Sequence, residues 1–283
     1  MVLISVGECS KKVTIHGHGI VVPTRFEISP GIVLSPETPK LELAATVAGC
    51  PRFLDYAAAL NGSEIATFTL EVEESEGGKL LAAKAWNALW LFHLLSIACQ
   101  NPCFSLYAVA DGAEPQITSA NRNPFARALP RVPVATDEQL LWARVHNGSF
   151  HTLISVPEFS SAMLCYGNAH YMFELDVRIM LLWAGIEGLL SVDAELNRRL
   201  ALYAALLFEG TPEEKAEYFD QVRKAYGIRS RAVHGGRADR KKLEGGYDAA
   251  SSILIRLLAR CVELGRVPTP AELDRLAVSG RVR

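Results

Sequence analysis

"HYMFELDVRIMLLWAGIEGLLSV", residues 170–192, decides how the second half of the chain is read. Its centre, 179–190, carries a single charge, Glu187. A helix that is apolar nearly all round must be buried, so the stretch predicts a long helix over 169–191 in the middle of a bundle. Gly185 and Gly188, three apart, would let a neighbouring backbone come close. Downstream, Asp193 is placed to cap a helix through "AELNRRLALYAALLF" that stops at Gly210. Thr211-Pro212-Glu213-Glu214 has the form of a capping box with proline in the first helical position. It opens a third helix running toward His234, with Gly227 a weak point and Gly235-Gly236 as its end. After the polar turn "RADRKKLEGGYD" (237–248), a fourth helix spans about 246–265. Thr269-Pro270-Ala271-Glu272 starts a short last one. Four consecutive helices with short turns argue for an up-down bundle.

Upstream the periodicity changes. "KKVTIHGHGIVV" and "IATFTLEVEE" alternate as strands do, and Pro, Gly and Asn61-Gly62 punctuate them, so residues 1–75 read as strands and turns. One hydrophobic helix follows at 79–99, then an irregular stretch to 135. "NRNPFARALPRVPVATDE" (121–138), with three prolines, reads as the connection between two domains. The expected architecture is therefore α+β: a β-rich domain with one hydrophobic helix over 1–135, and an all-α four-helix domain over 136–283.

Composition narrows the function classes. With 29 Lys and Arg against 31 Asp and Glu, the net charge of −2 gives no global signal for nucleic acid or membrane. Six cysteines lie without paired spacing, and "MVLISVGECSKKV" has no basic start before its short apolar run. These features point to reduced thiols in a cytoplasmic protein. The helix at 79–99 contains Lys84, Asn87 and His93, which favours a buried helix over a membrane span.

A local charge signal does exist. Between 223 and 242 stand Arg223, Lys224, Arg229, Arg231, Arg237, Arg240, Lys241 and Lys242, opposed only by Asp239. The run is either a solvated basic helix end, favoured by the helix dipole, or a surface for a polyanion. Inside it, "RSRAVHGG" (229–236) sets Arg229 five residues before His234, the one such Arg–His spacing in the chain. Histidine exchanges protons near neutral pH, and arginine offers a fixed fork of donors to phosphate oxygens. No carboxylate cluster accompanies the pair, which disfavours a two-metal nuclease. Phosphodiester cleavage without metal is easiest when RNA supplies its own 2′-hydroxyl. Histidine then serves as general base or acid, and arginine stabilises charge on the phosphoryl group. Five helical residues turn the side-chain direction by about 140° and rise about 7.5 Å, so a second copy would help converge the two groups.

"YGIRSRAVHGG", on the third helix of a small bundle, resembles the HEPN domain, whose signature is an arginine and a histidine separated by four residues. The resemblance is closest to the Apea-like branch, through Arg229, Ser230, Val233, His234 and Gly235. "LLWAGIEGLL" (181–190) and "ELNRRLALYAALL" (195–207) are similar to that branch's preceding helices. It covers about residues 169–266 and leaves the first 135 without a placed motif. It implies a metal-independent endoribonuclease of antiviral defence or a toxin–antitoxin system, needing no cofactor, whose two copies build one composite cleft. Many members carry Asn, Asp or His directly after the arginine; Ser230 departs from that form while agreeing with the Apea-like branch.

Other residues carry two readings each. Glu187 either orients Arg229 or His234, or is a core carboxylate paired with another arginine such as Arg198 or Arg199. Tyr226 either lines the cleft or packs. His16 and His18 share one face of a strand with no third ligand in view, so packed histidines stand against metal binding. Cys99 and Cys103 read as buried thiols. Two further functions compete with the nuclease: a non-catalytic RNA- or nucleotide-binding module using the same basic cleft, and an assembly subunit that only dimerises.

Overall fold

The computed structural model describes residues 4–50, 52–112, 116–121, 123, 126–192, 194–233 and 239–279, the side chains of 43–45 and 231–233 excepted. The chain is α+β overall and packs as two compact units, 1–147 and 148–283.

The first unit is built on a six-stranded antiparallel sheet in the order β2-β3-β4-β1-β5-β6. Its strands are β1 (Lys12–His18), β2 (Phe26–Ser29), β3 (Ile32–Ser35), β4 (Phe68–Glu73), β5 (Phe104–Ala110) and β6 (Gln116–Ser119). Alternation sets the faces, because successive side chains of a strand point to opposite sides. Central β1 pairs with β4 on one side (Ile15 opposite Leu70) and β5 on the other (Ile15 opposite Ala108). Val13, Ile15, Leu70 and Val72 are wholly buried.

Residues 1–75 are not all strand and turn: two helices, α1 (Leu43–Gly49) and α2 (Phe53–Ile65), stand there. Asn61-Gly62 therefore sits inside α2 rather than in a turn between strands. A Cβ on Gly62 would lie 2.7 Å from the Tyr107 ring of β5, so the glycine lets α2 close on the sheet. Buried Asp55 ties α2 to β6, held by both ends of the Arg52 guanidinium and accepting the Ser119 amide at 2.8 Å. The apolar segment at 79–99 is two helices, α3 (Gly78–Ala88) and α4 (Leu91–Cys99), broken at Leu89-Trp90. By length and composition Gly78–Cys99 could cross a membrane; half of its apolar window is buried. The stretch expected to be irregular up to 135 contains β5 and β6. Val21 pairs with Val134 in a parallel bridge, so the proline-rich segment is laced back onto the first unit. Isolated patterns could not show these helices, since burial against a sheet overrides weak local propensity.

The division between the units falls inside α5 (Asp137–Leu153). In the second unit, α6 (Pro157–Ala169) ends where the sequence reading began its long helix; α7 spans Leu175–Leu190. Then come α8 (Leu196–Leu207), α9 (Pro212–Val233), α10 (Arg240–Leu264) and α11 (Pro270–Ser279). Helices α7 to α10 pack on one another, α6 lies against α7 and α10, and α11 against α8. Ile179, Leu182, Trp183, Ile186, Leu189 and Leu190 form the buried stripe of α7 at helical spacing.

Gly185 behaves as its position suggests. A Cβ there would meet Cys165 and Leu254 at 2.9 Å and the Ala162 carbonyl at 3.3 Å. Gly188 does not: nothing stands within 4 Å of its missing Cβ. The capping box at Thr211 forms, and the helix start read at Thr269 proves to be a second one. The Thr211 amide donates to Glu214 at 2.7 Å and the Thr269 amide to Glu272 at 2.8 Å. Asp193 lies outside the described residues; Glu195 stands at the α8 N-cap without a side-chain cap bond. Helix α10 begins at Arg240, six residues before the expected start, so most of the "polar turn" is helical. Its glycines, 245 and 246, do not stop it, because the apolar face from Ile253 onward supplies the packing.

Candidate functional site

Helix α9 carries the site, and its spacing explains how. Tyr218, Val222 and Ala225 are its buried positions, three and four residues apart. The next position on that stripe is Arg229. A core-facing stripe thus ends in a guanidinium, whose side chain is only 24% exposed. A charge so placed requires a partner. Glu187, four residues beyond Trp183 on α7, supplies it: Arg229 Nη2 and Glu187 Oε1 are 3.2 Å apart. Of the alternatives open in the sequence, Glu187 pairs with Arg229. Arg199 instead donates to the Tyr203 hydroxyl at 2.6 Å and pairs with Asp274 at 3.2 Å, and Arg198 is exposed.

Tyr226 joins this group. The Arg229 guanidinium lies over its ring, 5.4 Å from the centroid. The ring meets Trp183 edge-on at 5.1 Å. Tyr226 is therefore both packed and beside the arginine. Burial raises its hydroxyl pKa; the Arg229 charge lowers it in part and Glu187 adds to the rise. Arg229 Nε is buried and has no hydrogen-bond partner among the described residues. The guanidinium thus retains unused donor capacity.

Tyr226 also forms one wall of an open groove of about 590 Å³, completed by Ala194, Glu195, Leu196, Asn197 and Arg198. The turn feeding α8 is bounded by Ser191 and Glu195, both in the left-handed region (φ 49° and 52°). Non-glycine residues hold that conformation at a cost of about 1–2 kcal/mol each.

Ser230 follows Arg229 on α9 and is partly exposed. His234 and Arg237 lie outside the described residues, as does the side chain of Arg231. The Arg229–His234 geometry is thus outside the described structure. Arg223 and Lys224 are exposed on α9, with the Arg223 guanidinium 5.6 Å from the Phe219 ring centroid. Arg240, Lys241 and Lys242 are exposed in the first turn of α10, and Arg240 pairs with Glu244 at 3.1 Å. The early start of α10 changes the meaning of these three cations. A helix dipole favours positive charge at its C-terminal end and disfavours it at the N-terminal end, by about 0.3–1 kcal/mol per charge. The dipole account fails for Arg240, Lys241 and Lys242.

The other candidates resolve as packing. His16 stacks on Tyr107 at 4.1 Å and is hydrogen-bonded to its hydroxyl through Nδ1 at 3.0 Å. Burial lowers its pKa to about 4. His18 accepts the Leu129 amide on Nε2 at 2.9 Å, so its Nδ1 carries the proton and donates to the Ile65 carbonyl at 2.6 Å. Cys99 and Cys103 are buried thiols; burial pushes Cys99 up to about 12. Among the described residues no group of three or more His, Cys, Asp and Glu side chains is placed to hold a metal ion.

Sequence reasoning missed Trp183 as the support of Tyr226, and Arg198 and Asn197 as groove residues. The four-residue step from Trp183 to Glu187 was a usable signal; nothing in the sequence marked the groove, which joins residues about 30 apart along the chain. A scan of protein-family models, a search of curated proteins and a search of solved structures found no match to the chain.

Proposed function

We propose that this chain is a metal-independent endoribonuclease of HEPN type, working as a homodimer in the cytoplasm without a cofactor. Residues 169–266 form the HEPN-like bundle in this reading. Arg229 and His234 are the reacting pair, and Ser230, Tyr226 and Glu187 support them. Arg223, Lys224, Arg231, Arg237, Arg240, Lys241 and Lys242 gather the RNA.

The observation that carries the reading is the cost accepted at α9 and α10. One arginine ends a core stripe with its side chain still 24% exposed, and three cations stand where the helix dipole opposes them. The Glu187 and Glu244 ion pairs offset part of that cost, and a polyanion lying along α9 and α10 would offset more of it. In the proposed step the ribose 2′-oxygen attacks the adjacent phosphorus and the bond from phosphorus to the 5′-oxygen breaks. His234 moves the proton, and Arg229 offsets charge on the phosphoryl oxygens. The products are a 2′,3′-cyclic phosphate and a 5′-hydroxyl.

The test is cleavage of end-labelled single-stranded RNA by the full-length protein in EDTA. Cleavage is expected to persist, to require the 2′-hydroxyl, and to fall by about 10²–10⁴ in His234→Ala. Arg229→Lys is expected to be poorly active, because an ammonium lacks the planar fork. Equal cutting of DNA, loss of activity in EDTA, or wild-type rates in His234→Ala overturn the proposal. One observation favours a second reading, a non-catalytic RNA-binding module: the Arg229 guanidinium is already engaged by Glu187. Salt-sensitive RNA binding that survives His234→Ala, with no cleavage by the wild type, would select it.

A further inference from the structure

We infer that the groove between the first turn of α8 and Tyr226 is a nucleotide subsite, which seats one unpaired RNA nucleotide next to the phosphate held at Arg229. The inference rests on the RNA reading above and adds where a base sits and which side chains read it.

Three observations lead there. First, Tyr226 belongs to both places. It is a wall of the groove, and it carries the Arg229 guanidinium over its ring. A polyanion phosphate at Arg229 thus has its neighbouring nucleotide at the groove's mouth. Second, the groove has the size and lining for a nucleotide. Its 590 Å³ falls within the range of about 300–1,000 Å³ usual for small-molecule sites. Ala194, Leu196 and the Tyr226 ring supply apolar and aromatic surface for a base face. Sequence-specific recognition of RNA relies on such unstacked bases.

Third, the polar groups are diverse and unspent. Asn197 and Arg198 are exposed, and no hydrogen bond or ion pair engages either side chain among the described residues. The Asn197 amide offers both a donor and acceptors to a base edge, and Arg198 offers a fork that a guanine edge can accept. Glu195 also lines the groove. Its carboxylate would repel a phosphate but accepts from an exocyclic amine, which makes the groove a base site rather than a second phosphate site. The neighbouring Arg199 is consumed by Tyr203 and Asp274, so the two adjacent arginines have different tasks.

The experiment uses the full-length protein with single-stranded RNA containing 4-thiouridine, irradiated in EDTA and mapped by mass spectrometry. Adducts are expected at Tyr226 or within 194–198. In parallel, Arg198→Glu is expected to weaken binding of the same RNA by about tenfold. Lys79→Glu, an exposed charge reversal in the first unit, should leave it within twofold. Circular dichroism checks that the variants fold. Adducts confined to the exposed cations of 223–242, with Arg198→Glu binding as wild type, overturn the subsite and leave RNA binding standing. If the wild type binds no RNA at low salt, the RNA reading falls and the subsite with it.

Discussion

Removing the charge of Glu187 tests the centre of the site. At 3.2 Å, the attraction between Glu187 and Arg229 is about 5 kcal/mol at an effective dielectric near 20 and about 1.3 kcal/mol in bulk water. Both side chains are roughly three-quarters buried, at 21% and 24% exposed, so desolvation offsets much of the larger figure. A net coupling of about 1–2 kcal/mol is expected, between exposed pairs and fully buried ones. Glu187→Gln keeps the shape and leaves a cation on the core stripe of α9, costing about 1–3 kcal/mol. Arg229→Gln leaves the carboxylate unpaired at a similar cost. The double variant should cost less than the sum, by the coupling. Urea unfolding of all four proteins, followed by far-UV circular dichroism, closes the cycle. A coupling within about 0.3 kcal/mol of zero would show that the two side chains act independently, and the assignment of Glu187 as the group that positions Arg229 would fail. The same variants separate stability from function: Glu187→Gln should retain salt-dependent RNA binding, because the cation remains.

Other outcomes follow from the packing and the buried titrating groups. Gly185→Ala should cost about 1–3 kcal/mol, since its Cβ would meet Cys165, Leu254 and the Ala162 carbonyl, whereas Gly188→Ala should stabilise by up to about 1 kcal/mol in open space. Equal midpoints for the two in urea would refute the difference. His16, held near 4 by burial, binds its proton in the unfolded chain first. The first unit should therefore lose about 3 kcal/mol as pH falls from 6.5 to about 4, and His16→Gln should flatten that slope. Glu71 follows the same proton linkage in a lower window, its pKa held down by cations rather than by burial. The Arg25 and Lys12 side chains hold it near 2, so its stabilisation is present above about 4.5 and lost as pH falls toward 2. Allowing for solvent screening at half-exposed Arg25, Glu71→Gln should cost about 2 kcal/mol at pH 7, with the gap closing toward pH 2 in thermal unfolding.

What the sequence determined by itself was local. The capping box at Thr211 and the helix start at Thr269 were legible because both partners lie within four residues and their hydrogen bonds need no tertiary help. The apolar centre of α7 was legible because a helix with one charge in twelve residues has no stable exposed face. The basic excess of 223–242 was legible as a count. Tertiary structure decided the rest. Helices α1 and α2 appear within a stretch of alternating strands because a sheet face had to be covered, and Gly62 permits the approach. Gly185 and Gly188 look alike in sequence and differ only in what α6 and α10 bring near. The partner of Glu187 was open among several arginines; Arg229 takes it because the 218–222–225–229 stripe turns that side chain toward α7. And the groove exists only because the turn before α8 returns the chain beside Tyr226, a closure over long sequence separation that no local pattern encodes.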